Sequence, residues 1–199
     1  NSSEDGRKIL NFYREQVNKD TLFIWANGNT SEDANRQLKL FNDAYFQAGL
    51  PHLYPELEKG WITVVGVKKK QGNTLNVHYD LAHLAYPGNA KWWAISADAD
   101  VVDSTGKVHR GSSFAAPRVA RAAALVVEKY DWMTADQVRQ TLFTTTDRTE
   151  INENETFVRN TSSIPDSKYG WGMLNQERAL KGPGAFINVT SNPKASNYF

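Results

Sequence analysis

The residues best placed to do chemistry are Gly111-Ser112-Ser113-Phe114-Ala115-Ala116-Pro117, which open the most apolar helical stretch of the chain. A serine at a helix N-terminus lies among backbone N–H groups that have no intrahelical acceptor. Such donors face whatever binds there and suit a developing oxyanion. Gly111 would let a substrate backbone approach closely. Ala115 and Ala116 keep the flank slim enough for the helix to be buried behind a site. Taken alone, Ser112 or Ser113 also fits an ordinary N-cap, and helix-start statistics favour that plainer reading.

The elements that must position this segment follow from periodicity. Ile9, Leu10, Tyr13 and Val17 fall at helical spacing in an amphipathic stretch from Ser3 to Val17. Thr21 to Ala26 is a short apolar run, like a strand buried on both faces, ending in the turn signal Asn27-Gly28-Asn29. A polar and helical segment is expected from Thr30 to Glu58. Trp61 to Val67 reads as a second buried strand, Leu75 to Tyr79 as a third and Trp92 to Ile95 as a fourth. Val101-Val102 and Lys107-Val108-His109 flank Ser104-Thr105-Gly106 as a β-hairpin.

Two helices follow. One runs from about Ser113 to Tyr130, with Pro117 in its first turn or so, where a missing N–H costs little. The next starts at Thr134, with Gln137 at capping-box spacing and Val138, Leu142 and Phe143 along one face. A short helix begins near Asn175 and stops at Lys181-Gly182-Pro183-Gly184. This order predicts an α/β layered domain over 1–184 with a mostly parallel sheet, and a tail or linker over 185–199.

Composition excludes several function classes. At 199 residues, 40% hydrophobic and 23% charged, the chain is an ordinary globular domain. A net charge of +1 gives no nucleic-acid footprint, and Lys68-Lys69-Lys70 reads as a solvated loop. Without cysteine there is no disulfide framework, thiolate zinc site or cysteine nucleophile. No apolar run is long enough to span a membrane. Trp25, Trp61, Trp92 and Trp93 lie in apolar runs and read as core. Five Asn-x-Ser/Thr sequons begin at Asn1, Asn29, Asn154, Asn160 and Asn188, and a glycan on Asn29 would block the turn after the first strand.

The segment around Ser113 resembles the nucleophile motif of the subtilisin-like serine proteases, Gly-Thr-Ser-x-Ala-x-Pro, with Ser112 in place of Thr. A second motif agrees in the right order. Ala26-Asn27-Gly28-Asn29 is similar to the family's Ala-Ala-Gly-Asn strand end, whose Asn donates to the oxyanion. Trp61 to Val67 resembles the strand after that loop, and Tyr169 to Asn175 with Ala179 resembles the closing glycine-rich turn and helix. Leu50-Pro51, Tyr54-Pro55-Glu56-Leu57, Gly60-Trp61, Met133-Thr134 and Gln137-Val138-Arg139 are most similar to autotransporter subtilase passengers of bacteria. The resemblance implies a subtilisin-like α/β fold and a secreted or surface-displayed serine endopeptidase acting on protein or peptide substrates. It implies Ser113 as nucleophile and Asn29 as oxyanion donor. Ala26, Asn27, Gly28, Gly111 and Ser112 would line the substrate, with Asn27 departing from the family's Ala and altering the specificity pocket.

The same resemblance implies a catalytic Asp in Asp-Ser/Thr-Gly and a His in His-Gly-Thr. Asp103-Ser104-Thr105-Gly106 is one residue too long and too late in order, and none of His52, His78, His83 and His109 precedes Gly. In the family those two residues precede the helix that matches Ser3 to Val17. The chain therefore resembles the C-terminal half of a protease domain, and an N-terminal half carrying Asp and His is the expected partner. No cofactor is expected for the chemistry. Calcium is common in the family as a structural ion, but the spacing of Asp98, Asp100 and Asp103 lacks an EF-hand's Gly and distal Glu, and no metal ligand is assigned. A noncatalytic binding or adhesive module on the same fold is the alternative reading. A nucleotide-binding domain ranks third, since no Gly-x-Gly-x-x-Gly or Walker sequence is present.

Overall fold

Three strands lie side by side and parallel in the computed structural model, which describes residues 4–29, 44–70, 78–80, 85–149, 157–158 and 164–184. β1 (Phe23–Ala26) pairs with β2 (Trp61–Lys70), placing Phe23 opposite Trp61 and Ala26 opposite Val64. The other edge of β2 pairs with β4 (Ala94–Asp98), Val64 opposite Ile95. The far end of β2 carries a short antiparallel strand, β3 (His78–Asp80). Beyond β4, the segment around Trp171 continues the ladder. The Trp171 N–H donates to the Ala94 carbonyl at 2.9 Å, and the Leu174 N–H to that of Ser96 at 2.8 Å.

Helices cover both faces, as parallel strands with apolar residues on each side require. On one face, α2 (Ser112–Lys129) and α3 (Ala135–Thr144) bury Ala115, Val119, Ala122, Val126, Val138 and Leu142 against Ile62, Val64, Ile95 and Ala97. On the other, α1 (Glu4–Asn18) lays Leu10, Tyr13 and Val17 over Phe23, Trp25 and Trp61. The Tyr13 ring meets those of Phe23 and Trp61 edge-on, with centroids 5.3 and 5.2 Å away. The two-residue period of β1 explains why Phe23 and Trp25 turn to α1 while Ile24 packs with the α2 side.

The expected helix starts are made as the sequence spells them. Thr134 Oγ1 accepts from the Gln137 N–H at 3.3 Å, and Gln137 Oε1 accepts from the Thr134 N–H at 2.9 Å. Asn175 Oδ1 caps α4 (Gln176–Ala179) through the Arg178 N–H at 2.8 Å. The hairpin of β5 (Asp100–Val102) and β6 (Val108–Arg110) is also present and runs directly into α2.

Four expectations need correction. Lys68-Lys69-Lys70 is not a loop: it ends β2 and pairs with Asp80, Tyr79 and His78 of β3. Trp92 and Trp93 do not begin a strand; they end a 3-10 turn, Gly88–Trp93, and the strand starts at Ala94. Trp93 is fully buried there, its indole N–H donating to the Ala48 carbonyl at 2.8 Å. A short apolar run cannot reveal which backbone carries it. Within Thr30 to Glu58, the described residues 44–58 form turns and the 3-10 helices Leu50–His52 and Pro55–Gly60, each with Pro in its first turn, rather than an α-helix. Pro117 is the sixth residue of α2, not part of its first turn. Residues 75–77 of the expected third strand and the tail over 185–199 lie outside the described residues.

The outer edge of β1 has no strand partner among the described residues, and all four of its residues are only half-buried. Ile62 and Val64 of β2 and Ile95 of β4, further in, are fully buried.

Gly170 fixes how the C-terminal segment docks on β4. Its φ is +63°, and a Cβ there would stand 2.2 Å from the Ala94 carbonyl oxygen. Gly170→Ala combines a left-handed backbone with overpacking and is expected to destabilise by at least ~2 kcal/mol. Thermal unfolding of the purified variant checks this, and an unchanged midpoint would contradict the close approach of Gly170 to β4.

Candidate active site

Ser113 and Asn29 are exposed and come from two separate elements, the end of β1 and the start of α2. Asn29 follows the end of parallel strand β1, and Ser113 opens the helix that follows the β5–β6 hairpin. Gly111 precedes the helix with extended backbone and is tied to the sheet through its N–H, which donates to the Ala99 carbonyl at 3.2 Å. Ser113 follows two residues later, in the first turn, where a backbone N–H has no helical acceptor.

Ser112 joins the two pieces. It is buried, and its Oγ accepts from the Gly28 N–H at 3.2 Å while donating to Asn29 Oδ1 at 3.0 Å. The Ser112 N–H also donates to Asn29 Oδ1, at 2.8 Å. Two donors on one oxygen fix which way the Asn29 amide faces. Its Nδ2 is left as a donor with no protein partner among the described residues. A Cβ built on Gly111 would lie 3.5 Å from that Nδ2 and 3.1 Å from Ser113 Oγ. The serine hydroxyl and the amide donor therefore flank one small space above Gly111.

The other residues expected at the site are placed as follows. Ala26 ends β1 opposite Val64. Asn27 is fully buried, and both ends of its amide are taken. Oδ1 accepts from Thr63 Oγ1 at 3.1 Å, and Nδ2 donates to the Ala85 carbonyl at 2.7 Å. Its N–H continues the ladder to the Val64 carbonyl at 2.9 Å. Asn27 thus braces the loop from beneath. Gly28 is buried and faces Ser112 Oγ. Tyr45 was not legible as part of the site: its hydroxyl donates to the Asn29 carbonyl at 2.5 Å. No local pattern announces a contact across 16 residues.

Pro117 has a local consequence. In an α-helix its N–H would bond the carbonyl four residues earlier, which is that of Ser113. Lacking that N–H, Pro117 leaves the Ser113 carbonyl without its helical donor.

No histidine is brought to Ser113 Oγ, which has no hydrogen-bond partner among the described residues. His109 Nε2 instead meets Asp103 Oδ2 at 2.7 Å on the hairpin. Asp103 is held down at about 2, first by the Thr105 hydroxyl and then by His109, with the N–H groups of Thr105 and Lys107 adding to it. The Asp103-Ser104-Thr105-Gly106 sequence is accordingly a turn closure: Oδ1 accepts from the Thr105 and Lys107 N–H groups at 2.9 and 3.0 Å. Asp100 pairs with Arg110 through both carboxylate oxygens, at 2.5 and 2.8 Å. Asp98 Oδ1 accepts from the Asp100 N–H at 3.0 Å. His52 is exposed on its 3-10 turn and His78 is in β3, while His83 lies outside the described residues. Asn1, Asn154, Asn160 and Asn188 lie outside them too.

The chemistry this arrangement offers is oxyanion binding next to a hydroxyl nucleophile. Gly111→Ala tests the shared space without straining the backbone, because its extended φ suits any residue. The added methyl would push Ser113 Oγ or the Asn29 amide out of place. A displacement of that order is expected to lower kcat/KM about 10²-fold in the full-length protein with its thermal midpoint unchanged. Parental kinetics would contradict the geometry.

Comparison with known proteins agrees with this architecture. The family model described as Subtilase family, Peptidase_S8, matches residues 1–172. The chain is 32% identical to Serotype-specific antigen 1 of Mannheimia haemolytica, over 96% of this chain and 20% of that protein. It is 33% identical to the Neisserial autotransporter lipoprotein NalP of Neisseria meningitidis serogroup B, over 85% of this chain and 15% of that protein. The chain thus spans a fifth or less of these relatives' length. Among solved structures, fervidolysin from Fervidobacterium pennivorans, a keratinolytic enzyme related to subtilisin, shares the fold at a TM-score of 0.57 and 19% identity, over 87% of this chain and 24% of that one. With a family model covering most of its length and two relatives above 30% identity, this chain belongs to the subtilase family.

Proposed function

We propose that this chain is the nucleophile-bearing half of a secreted or surface-displayed serine endopeptidase. The observation that carries the reading is the pair of hydrogen bonds that Ser112 donates to Asn29 Oδ1, which leaves Asn29 Nδ2 facing the same space above Gly111 as Ser113 Oγ. In this reading Ser113 Oγ attacks the carbonyl carbon of a peptide bond. The oxyanion that forms is held by Asn29 Nδ2 and the Ser113 N–H. The hydroxyl proton passes to a histidine and from it to the leaving amine, and a water then releases the acyl group by the reverse route.

The histidine and its orienting aspartate are assigned to an N-terminal part of the same protease domain. The open edge of β1 supports this partner. Its alternate residues, Ile24 among them, turn their backbone groups away from β2 with no strand partner among the described residues, and all four side chains are half-buried; an edge of that kind is a template for another strand. The buried Trp25 Nε1, which has no acceptor among the described residues, lies on the same strand. Likeness to an autotransporter lipoprotein supports surface display. Protein or peptide substrates follow from the peptide-bond chemistry proposed for Ser113.

The test is a fluorophosphonate, which reacts with an activated serine and ignores a capping one. In the full-length protein the adduct is expected on Ser113 by peptide mapping and absent from Ser113→Ala. Asn29→Ala should keep its core and lose about 10²–10³-fold in turnover, and Asn29→Asp, which keeps the oxygen that Ser112 holds and removes only the donor, separates that loss from a loosened loop. A full-length protein that takes up no label would reject the peptidase reading and leave a noncatalytic binding module.

A further inference from the structure

We infer that Tyr45 is a positioning residue for the oxyanion donor, acting through Asn29; this rests on the assignment of Asn29 in the reading above. Three contacts converge on the loop after β1. The Tyr45 hydroxyl donates to the Asn29 carbonyl at 2.5 Å. The Tyr45 N–H donates to the Asn27 carbonyl at 2.8 Å. Its ring closes against Gly28: a Cβ there would come within 2.6 Å of Tyr45 Cδ1 and 2.7 Å of Cε1. One residue thus grips Asn27, Gly28 and Asn29 in succession.

The physical need is clear from the other holds on Asn29. The residue is exposed and its backbone closes an isolated β-bridge; its side chain is held at the oxygen by Ser112, and its carbonyl takes the Tyr45 hydroxyl. An amide held at Oδ1 alone can still swing about that oxygen if its backbone moves. The Tyr45 hydroxyl pins the backbone at the carbonyl, so the peptide and the side chain are both fixed. Nδ2 is then held in place before the oxyanion forms, which is the condition for such a donor to favour the transition state. Tyr45 is itself 45% exposed. A residue serving packing alone would gain little from an exposed phenol placed over a glycine.

The role predicts a kinetic signature that stability alone does not give. Tyr45→Phe keeps the ring on Gly28 and removes only the hydroxyl. In the full-length protein it is expected to lower kcat about tenfold, the size of one lost hydrogen bond, with KM and the thermal midpoint unchanged. In an Asn29→Ala background the same change should cost nothing further, because the group it positions is gone. Parental kcat for Tyr45→Phe alongside a crippled Asn29→Ala would overturn the inference and leave the peptidase reading standing. A tenfold loss that persists in the Asn29→Ala background would overturn it as well, since Tyr45 would then act by another route. Parental turnover for Asn29→Ala would remove the donor assignment and this inference with it.

Discussion

The arrangement depends on one oxygen. Asn29 Oδ1 takes two hydrogen bonds from Ser112, and through them the end of β1 is fastened to the start of α2. The residues joined are 83 positions apart in the chain. Without this link, the loop after β1 and the turn before α2 would be neighbours with no defined register. With it, a side-chain amide, a helix N-terminus and a serine hydroxyl share one small space. The link also uses the acceptor end of the amide internally, so that the donor end is the one left over. A hydrogen bond that serves the fold thereby decides the polarity of the site.

The rest of the fold supports that link from two sides. From below, Asn27 is locked by Thr63 and Ala85, each amide end on its own partner. A buried amide is tolerated there because it is satisfied. From behind, α2 is packed on the sheet through Ala115, Val119, Ala122 and Val126. The small residues of its first turns let the helix start close to the strand ends. Gly111 supplies the remaining clearance. The strand FIWA leads into the site and is only half-buried along its length. That coincidence ties the chemistry to whatever covers the edge.

Much of this was legible in the sequence, for identifiable reasons. The apolar run over Trp61–Val67, the Thr134–Gln137 capping box, the Asn175 cap and the hairpin are local signals, and each is found as spelled. The two short, ordered motifs around Ser113 and Asn29 predict that these residues meet, and the fold brings them to one space. What was not legible is long-range. Trp92-Trp93 has the composition of a strand, but the indole of Trp93 reaches the Ala48 carbonyl across 45 residues and its backbone takes a 3-10 turn instead. Asn27 looked like a polar change in a pocket, yet the structure closes both its amide ends on partners 36 and 58 residues away. Asp103 and His109 looked unrelated in the sequence and meet only because the hairpin register brings them together.

The central claim is that Asn29 Nδ2 and the Ser113 N–H receive the oxyanion. The most direct measurement is a crystal structure of the full-length protein after reaction with a fluorophosphonate, whose phosphoryl oxygen stands in for the oxyanion. The account predicts phosphorus bonded to Ser113 Oγ, with that oxygen about 2.7–3.1 Å from both donors. A phosphoryl oxygen turned away from Asn29, or held by other groups, would contradict it.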